Sequence, residues 1–382
     1  MFPLFLTIAL LYALFILWLW RGVLRLEPLV PSTSRPFVSV IVAARNEAQN
    51  LPGLLDSLRI QSYPADRLEL IVVDDGSTDD TYSILSQHTT RMPNLVPLQV
   101  TEVPAGWSPK KWALTTAIKA ARGEIIVATD ADCLPGSRWV ETMVGCFDDA
   151  AVGLVMGPAP VMASWLGRWY EALFLDSISL DALAAGGASN GLSLTCTGRN
   201  LAYRKQAFED VGGFSGVEHL VSGDDDLLLH KIAGAGWGIK FALALSATVP
   251  SPPPVGWRAF LHQRLRHASK GRTYYSIPTS PLFKVLLPLI YLANVGVLFS
   301  LVMLATTLQW YWLAIPVVKL AAEARLVYTY LARVPGRVRP GTFLITGLIH
   351  PLYVTVFGLL GNFYNVGWKG RRYSGTQVSG SR

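Results

Sequence analysis

The apolar residues of this 382-residue chain gather near its two ends, and that distribution limits the possible folds more than any single motif. Met1 to Trp20 carries no charge and stops at Arg21, long enough to cross a bilayer core of about 30 Å. A cleaved leader would want a positive start and small residues at a cleavage site; neither is present, so the segment reads as a retained anchor. Val285 to Thr307 is a second uncharged stretch. Gln309 to Leu331 is a third, carrying Lys319, Glu323 and Arg325, and Thr342 to Tyr364 is a fourth, interrupted by His350-Pro351. Lys319 and Glu323 are four apart and can pair on a helix, while Glu323 and Arg325 are expected simply at the membrane interface. Four crossings would put the basic tail (Lys369, Arg371, Arg372) on the outer face, against the charge rule; a re-entrant or interfacial last segment removes the conflict.

The net charge of +7 does not point to nucleic acid. Its basic residues (Arg21, Arg25; Arg264, Arg266, Lys270, Arg272; Arg333, Arg337, Arg339) flank the apolar spans, as cytoplasmic membrane borders do. Cys133, Cys146 and Cys196 are odd in number and lack metal-type spacing, which fits a reducing compartment. A transporter would need polar groups inside several spans and internal repeats; here the spans are few, and a large α/β region separates them.

That region alternates strands and helices. Phe37 to Ala44 is a β-branched run, followed by Leu51, Leu54, Leu55 and Leu58 at helical spacing. Leu68 to Asp75 predicts a second strand, and a helix follows that Ser77 or Thr78 can cap. A third strand is expected at about Leu95 to Val100, a helix at Pro109 to Ala121 and a fourth strand at Glu124 to Thr129. The pattern predicts an α/β, mostly parallel sheet with ligands at the carboxyl ends of its strands. The apolar stretch Trp165 to Ala185, with Asp176 and Asp181, is expected as an interfacial, acceptor-side helix rather than a core helix.

The acids lie at those strand ends. Asp130 and Asp132 close the fourth strand, where alternation puts both carboxylates on one side, suited to a divalent cation bridging phosphate oxygens. In Asp74-Asp75-Gly-Ser-Thr-Asp79 one acid can bind a nucleoside while another supports the turn. Lys110 and Lys111 open a helix and read equally as a diphosphate contact or a solvated pair. Asp224, Asp225 and Asp226 are adjacent, so one carboxyl is expected to rise toward the range of a useful base; an N-terminal helix cap is the plainer alternative. Arg264 and Arg266, beside Gln263, are either membrane flanks or partners of a leaving diphosphate.

Six segments in this order (Val40 to Glu47, Val73 to Asp79, Thr129 to Asp132, Cys196 to Asn200, Gly223 to Asp226 and Gln263 to Arg266) resemble the family 2 glycosyltransferases with a GT-A fold, in their membrane-bound branch. The resemblance implies an inverting transfer from a UDP-sugar. Glu47 and Asp75 would hold the nucleoside with Lys111 nearby, and Asp130 and Asp132 the Mg2+ or Mn2+ and the diphosphate. Asp225 would be the base, with Asp224 the second choice. Gly198 and Arg199 would face the acceptor, and Gln263, Arg264 and Arg266 the departing UDP. The membrane synthases usually end the last motif in Trp, where this chain has His267. With only about three spans following, single transfer of a sugar, glucose foremost, to a lipid such as a carotenoid or sphingolipid-like molecule is expected over processive polysaccharide synthesis. The expected organisation is an anchor at 1–24, a GT-A domain at 37–250, a Gln-Arg-x-Arg linker at 251–280, membrane spans at 281–364 and a basic tail at 365–382. The protein is expected in the cytoplasmic (inner) membrane, multi-pass, with the catalytic domain on the cytoplasmic side.

Overall fold

Strand β1 (Val38–Ala44) is buried along nearly its whole length because it lies between β2 (Leu68–Asp74) and β4 (Ile125–Ala128), in register and parallel to both. A strand with neighbours on both edges and helices on both faces needs apolar residues at almost every position, which explains its continuous β-branched run. The computed structural model describes residues 1–29, 32–162, 167–254, 256–361, 367–368 and 371–372. The seven-stranded sheet has the order β3-β2-β1-β4-β6-β5-β7, with β3 at Leu95–Gln99, β5 at Val152–Met156, β6 at Leu201–Arg204 and β7 at Gly238–Phe241. Only β6 runs against its neighbours β4 and β5, so the predicted, mostly parallel sheet is found.

Alternation along β1 divides the core. Val38, Val40 and Val42 pack on one face with Leu54 and Leu58 of α2 (Leu51–Arg59) and Trp139 of α5 (Trp139–Val144). Ile41 faces the other way, with Ala113 and Ala117 of α4 (Pro109–Ala120). The one polar side chain of β1, Ser39, is buried but satisfied: it donates to Glu69 Oε1 (2.5 Å) and accepts from the Gly123 amide (2.8 Å). The helix α3 (Thr81–His88) begins with its amide at Thr81 donating to Asp79, so Asp79 serves it instead of the expected Ser77 or Thr78.

The second face of the sheet does not end in water. Its apolar cluster continues through α6 (Arg168–Ser189) into α1 (Phe2–Arg25), α10 (Pro281–Thr307) and α11 (Ala314–Leu331). The helix α6 is therefore a partition. Ser177 and Asp181 on one side accept the amides of Val161 and Ala159, while its C-terminal glycines meet α1. A Cβ on Gly186 would sit 2.5 Å from the Leu19 carbonyl oxygen, and one on Gly22 would strike Gly186, so the two backbones touch as small residues allow. This is a core position more than the interfacial one expected; Trp165, at the start of the predicted stretch, lies outside the described residues.

Among the described residues, three helices are long and apolar enough to cross a membrane: α1, α10 and α12 (Pro340–Leu360). In α11 the charges do not simply sit at an interface. Lys319 is buried and pairs with Glu323 at 2.7 Å, and Tyr12 of α1 donates to the same carboxylate oxygen at 2.6 Å. The helix turns its charge inward and pays little, because each group meets its opposite. Past Arg25, the last carbonyls of α1 are capped by Arg333, which donates to Val23 (2.9 Å) and Leu26 (2.8 Å).

The helix α12 runs unbroken through His350-Pro351. At its start Arg339 pairs with Glu171 of α6 (2.5 Å); at its end Gly361 lies against Ala268 of α9 (Gly256–Ala268). Its start thus meets α6 of the α/β domain and its end meets α9, which follows that domain. Of the basic tail, Lys369 and residues 373–382 lie outside the described residues.

Candidate active site

The loops at the carboxyl ends of β1, β2 and β4 are tied to one another. Asn46, in the left-handed region (φ 51°), donates its amide to Ser77 Oγ (2.9 Å) and accepts the Thr78 amide at its side-chain oxygen (2.8 Å). Asn tolerates this conformation better than a β-branched residue does. Arg45 donates to the carbonyls of Asp75 (2.5 Å) and Gly76 (2.9 Å). Asp74 supports the turn by accepting the Ser77 amide (3.1 Å), and Asp75 is buried beside it. Glu47 accepts from Asn50 (2.6 Å) next to this loop.

The fourth strand stops at Ala128, so Asp130 and Asp132 stand on the turn beyond it and strand alternation does not place them. They are nevertheless neighbours. Burial raises the Asp132 carboxyl, and the negative charges of Asp130 and Glu47 raise it further. Among the described residues no three acids, histidines or cysteines are grouped to hold a metal alone. Two carboxylates in a part-buried, negatively charged corner fit a divalent cation whose remaining ligands come from phosphate and water.

The aspartate triplet starts α8 (Asp226–Gly234), which follows the short α7 (Lys205–Asp210). Two lysines and two backbone amides serve the three acids, with Lys270 near both Asp225 (3.9 Å) and Asp226. Asp224 is bound by the Lys110 ammonium at 2.8 Å, and the same ammonium reaches Asp130 at 3.0 Å. Burial pulls that ammonium down, but the two carboxylates outweigh it and hold Lys110 well above the usual lysine value. Asp225 caps α8: its oxygens accept the amides of Asp226 (2.8 Å) and Gly198 (3.0 Å). Asp226 is buried, pairs with Lys270 (2.7 Å) and accepts from Tyr274. Burial pushes the Asp226 carboxyl up, but Lys270 and the hydrogen bonds prevail and keep it below the usual range.

Two expected contacts lie elsewhere. Lys111 is buried and donates to the carbonyls of Val217 (2.6 Å) and Ser222 (3.1 Å); burial brings it down to about 8. Lys110, its neighbour, is the lysine that meets the acids. Arg264 is buried against Phe260 and Tyr353 and pairs with Asp176 of α6 at 2.5 Å, away from the aspartates. Gln263 and Arg266 are half-buried on α9, the helix that leads to Lys270. Arg199 donates to Thr197 (3.1 Å) and Ser251, while its carbonyl accepts from Thr129 at 2.7 Å, joining the Gly198 loop to the end of β4. Lys270 and Tyr274 are residues the sequence reading left out of the site, and Lys110 is one it offered only as a diphosphate contact.

Residues 39–212 match the model of Glycosyl transferase family 2, and the aspartate triplet and α9 lie beyond that match. The chain is 31% identical over 222 residues to the glycosyltransferase AglE of Haloferax volcanii, covering 58% of this chain and 69% of that protein. It is 30% identical over 250 residues to the β-monoglucosyldiacylglycerol synthase of Nostoc sp., covering 63% of this chain and 50% of that protein, so it spans about half of that relative's length. Among solved structures it is similar to the mannosyltransferase PcManGT from Pyrobaculum calidifontis in complex with GDP-Man and Mn2+, with a TM-score of 0.58, 25% identity, and 94% of this chain and 96% of that chain covered. With a parallel sheet whose acids gather at its carboxyl edge and relatives that are glycosyltransferases, this chain belongs to glycosyl transferase family 2, with a GT-A fold.

Proposed function

We propose that this glycosyltransferase moves a sugar, glucose foremost, from a UDP-sugar to a hydroxyl of a membrane lipid such as a carotenoid or sphingolipid-like molecule, with inversion, at the cytoplasmic face. The observation that carries it is the Lys110 bridge. One ammonium joins Asp130, on the proposed donor side, to Asp224, next to the proposed base, so donor and acceptor chemistry share one cleft. That cleft belongs to a domain whose core runs directly into membrane-length helices. The Nostoc relative's own name, a synthase of monoglucosyldiacylglycerol, supports both glucose and a lipid acceptor.

In this reading Glu47 and Asp75 hold the nucleoside. Asp130 and Asp132 hold Mg2+ or Mn2+, whose charge offsets that of the diphosphate. Lys110, rather than Lys111, serves the phosphates. Asp225, its oxygens oriented by two backbone amides, takes the acceptor proton as the hydroxyl attacks the anomeric carbon, and Gln263 and Arg266 stabilise the departing UDP. Gly198 and Arg199 line the acceptor side.

A processive polysaccharide synthase is the second reading, and product length separates the two. Purified protein is given labelled UDP-glucose, Mn2+ and lipid extract. Label in the organic phase on a product carrying one sugar supports the proposal; label only in long water-soluble polymer rejects it in favour of the synthase.

A further inference from the structure

Beneath α6, on the side away from the sheet, α1, α6, α10, α11 and α12 enclose a cavity of about 160 Å³. Its walls are mostly apolar, including Phe15, Leu180 and Leu326, but polar groups also open onto it, among them Tyr12, Asp176, Ser179, Asn294, Glu323, Thr346 and His350. None of them belongs to the aspartate site. Tyr12 and Glu323 bond each other, and Asp176 is bound to Arg264. Asn294 differs. It is 2% exposed, its amide nitrogen donates to the Ile290 carbonyl (2.8 Å), and its side-chain oxygen has no donor among the described residues. A buried amide oxygen left without a donor is unfavourable, so this wall is shaped for something that donates a hydrogen bond. An apolar chain alone would not supply that bond.

The cavity is connected to the catalytic cleft through one helix. Arg264, held by the cavity wall at Asp176, precedes Lys270, held by Asp225 and Asp226, by six residues along and just beyond α9. At helical rise that is roughly 9 Å. A lipid anchored in the cavity therefore has its headgroup within reach of the proposed base.

We propose that this cavity is the acceptor's chain site. It takes a lipid whose apolar chain carries a second hydrogen-bond donor, a hydroxyl or an amide, which bonds Asn294 while the first hydroxyl receives the sugar. This rests on the lipid-acceptor reading above. It adds a specificity rule: among lipids of equal length, those with a donor along the chain are preferred.

The test uses the full-length protein in detergent micelles and two photoactivatable probes, a long-chain diol hydroxylated at both ends and the matching mono-alcohol. The diol is expected to label α6 and α12 around Ser179 and Gly347 at least fivefold more strongly than the mono-alcohol. Asn294→Leu should remove that preference, and Ser179→Phe, which fills the cavity, should abolish labelling there. In transfer assays Asn294→Leu should raise the KM of the diol about tenfold, with the KM of the nucleotide sugar changed less than twofold. Equal labelling by both probes, spread over the exposed faces of α10 and α12 and indifferent to Ser179→Phe, overturns the proposal as ordinary boundary lipid. Cavity labelling with no sugar transfer to any lipid would uphold the chain site and refute the glycosylation reading. Transfer to lipid that is insensitive to both substitutions would do the opposite.

Discussion

Three consecutive aspartates coexist because lysines and backbone amides surround them, Lys270 lying near both Asp225 and Asp226. Asp224 faces Lys110, Asp225 two backbone amides, and Asp226 Lys270 with Tyr274. The adjacency of the acids was plain in the sequence, but their cations come from segments far away in the chain, so no local pattern could assign them. The same holds for Lys110 and Lys111: successive helical residues differ by about 100° in direction, and only the packed helix shows which one turns to the acids. For Asp225→Asn we expect transfer to fall at least a thousandfold while nucleotide-sugar binding, read by calorimetry, changes less than threefold. Asp132→Ala should abolish the response of activity to added Mn2+, and EDTA should silence the wild type but add nothing to the variant. Asp181 supplies a pH prediction. Burial lifts its carboxyl from 3.8 to about 7 despite the Ala159 amide. The folded state therefore prefers the protonated acid: its contribution is full below pH 4 and lost as pH rises through 7. Asp181→Asn should raise the melting temperature at pH 8 but not at pH 4, with up to roughly 4 kcal/mol at stake.

At the scale of elements, the first four strands and the helix at Pro109 were legible because burial on both faces writes a continuous apolar run and turns punctuate it. The antiparallel β6 was not, since nothing in four residues records which neighbour they pair with. In α11 the pairing of Lys319 with Glu323 was legible in their spacing, but their third partner was not: Tyr12, more than 300 residues away in sequence, donates to the same carboxylate. The glycine contact between α1 and α6 makes a sharp prediction. Gly186→Leu should destabilise the protein by about 1–3 kcal/mol, or prevent docking of the anchor, seen as a lowered melting temperature in detergent. The α12 contacts bear on topology. Unbroken over its whole length, α12 cannot turn back within a bilayer, so of the two alternatives that remove the conflict with the positive-inside rule we infer the interfacial one, with Arg339 on Glu171 and Gly361 on Ala268 holding its two ends against the rest of the chain. A protease-accessible tag placed directly after Leu360 should be cleaved from the same membrane face as the catalytic domain.

For the whole molecule, the continuity of one apolar cluster from the sheet through α6 into the membrane-length helices means that the glycosyltransferase domain and those helices are a single packed unit. Set in a bilayer, such a unit would hold its cleft at a fixed height, which would suit the proposed lipid acceptor. The most direct measurement is transfer of label from UDP-glucose to lipid in proteoliposomes, comparing wild type with Asp225→Asn in the presence of Mn2+. The account predicts a lipid product carrying one sugar from the wild type, lost with EDTA and absent from the variant. Undiminished lipid glycosylation by Asp225→Asn, or wild-type label confined to water-soluble polymer, would contradict it.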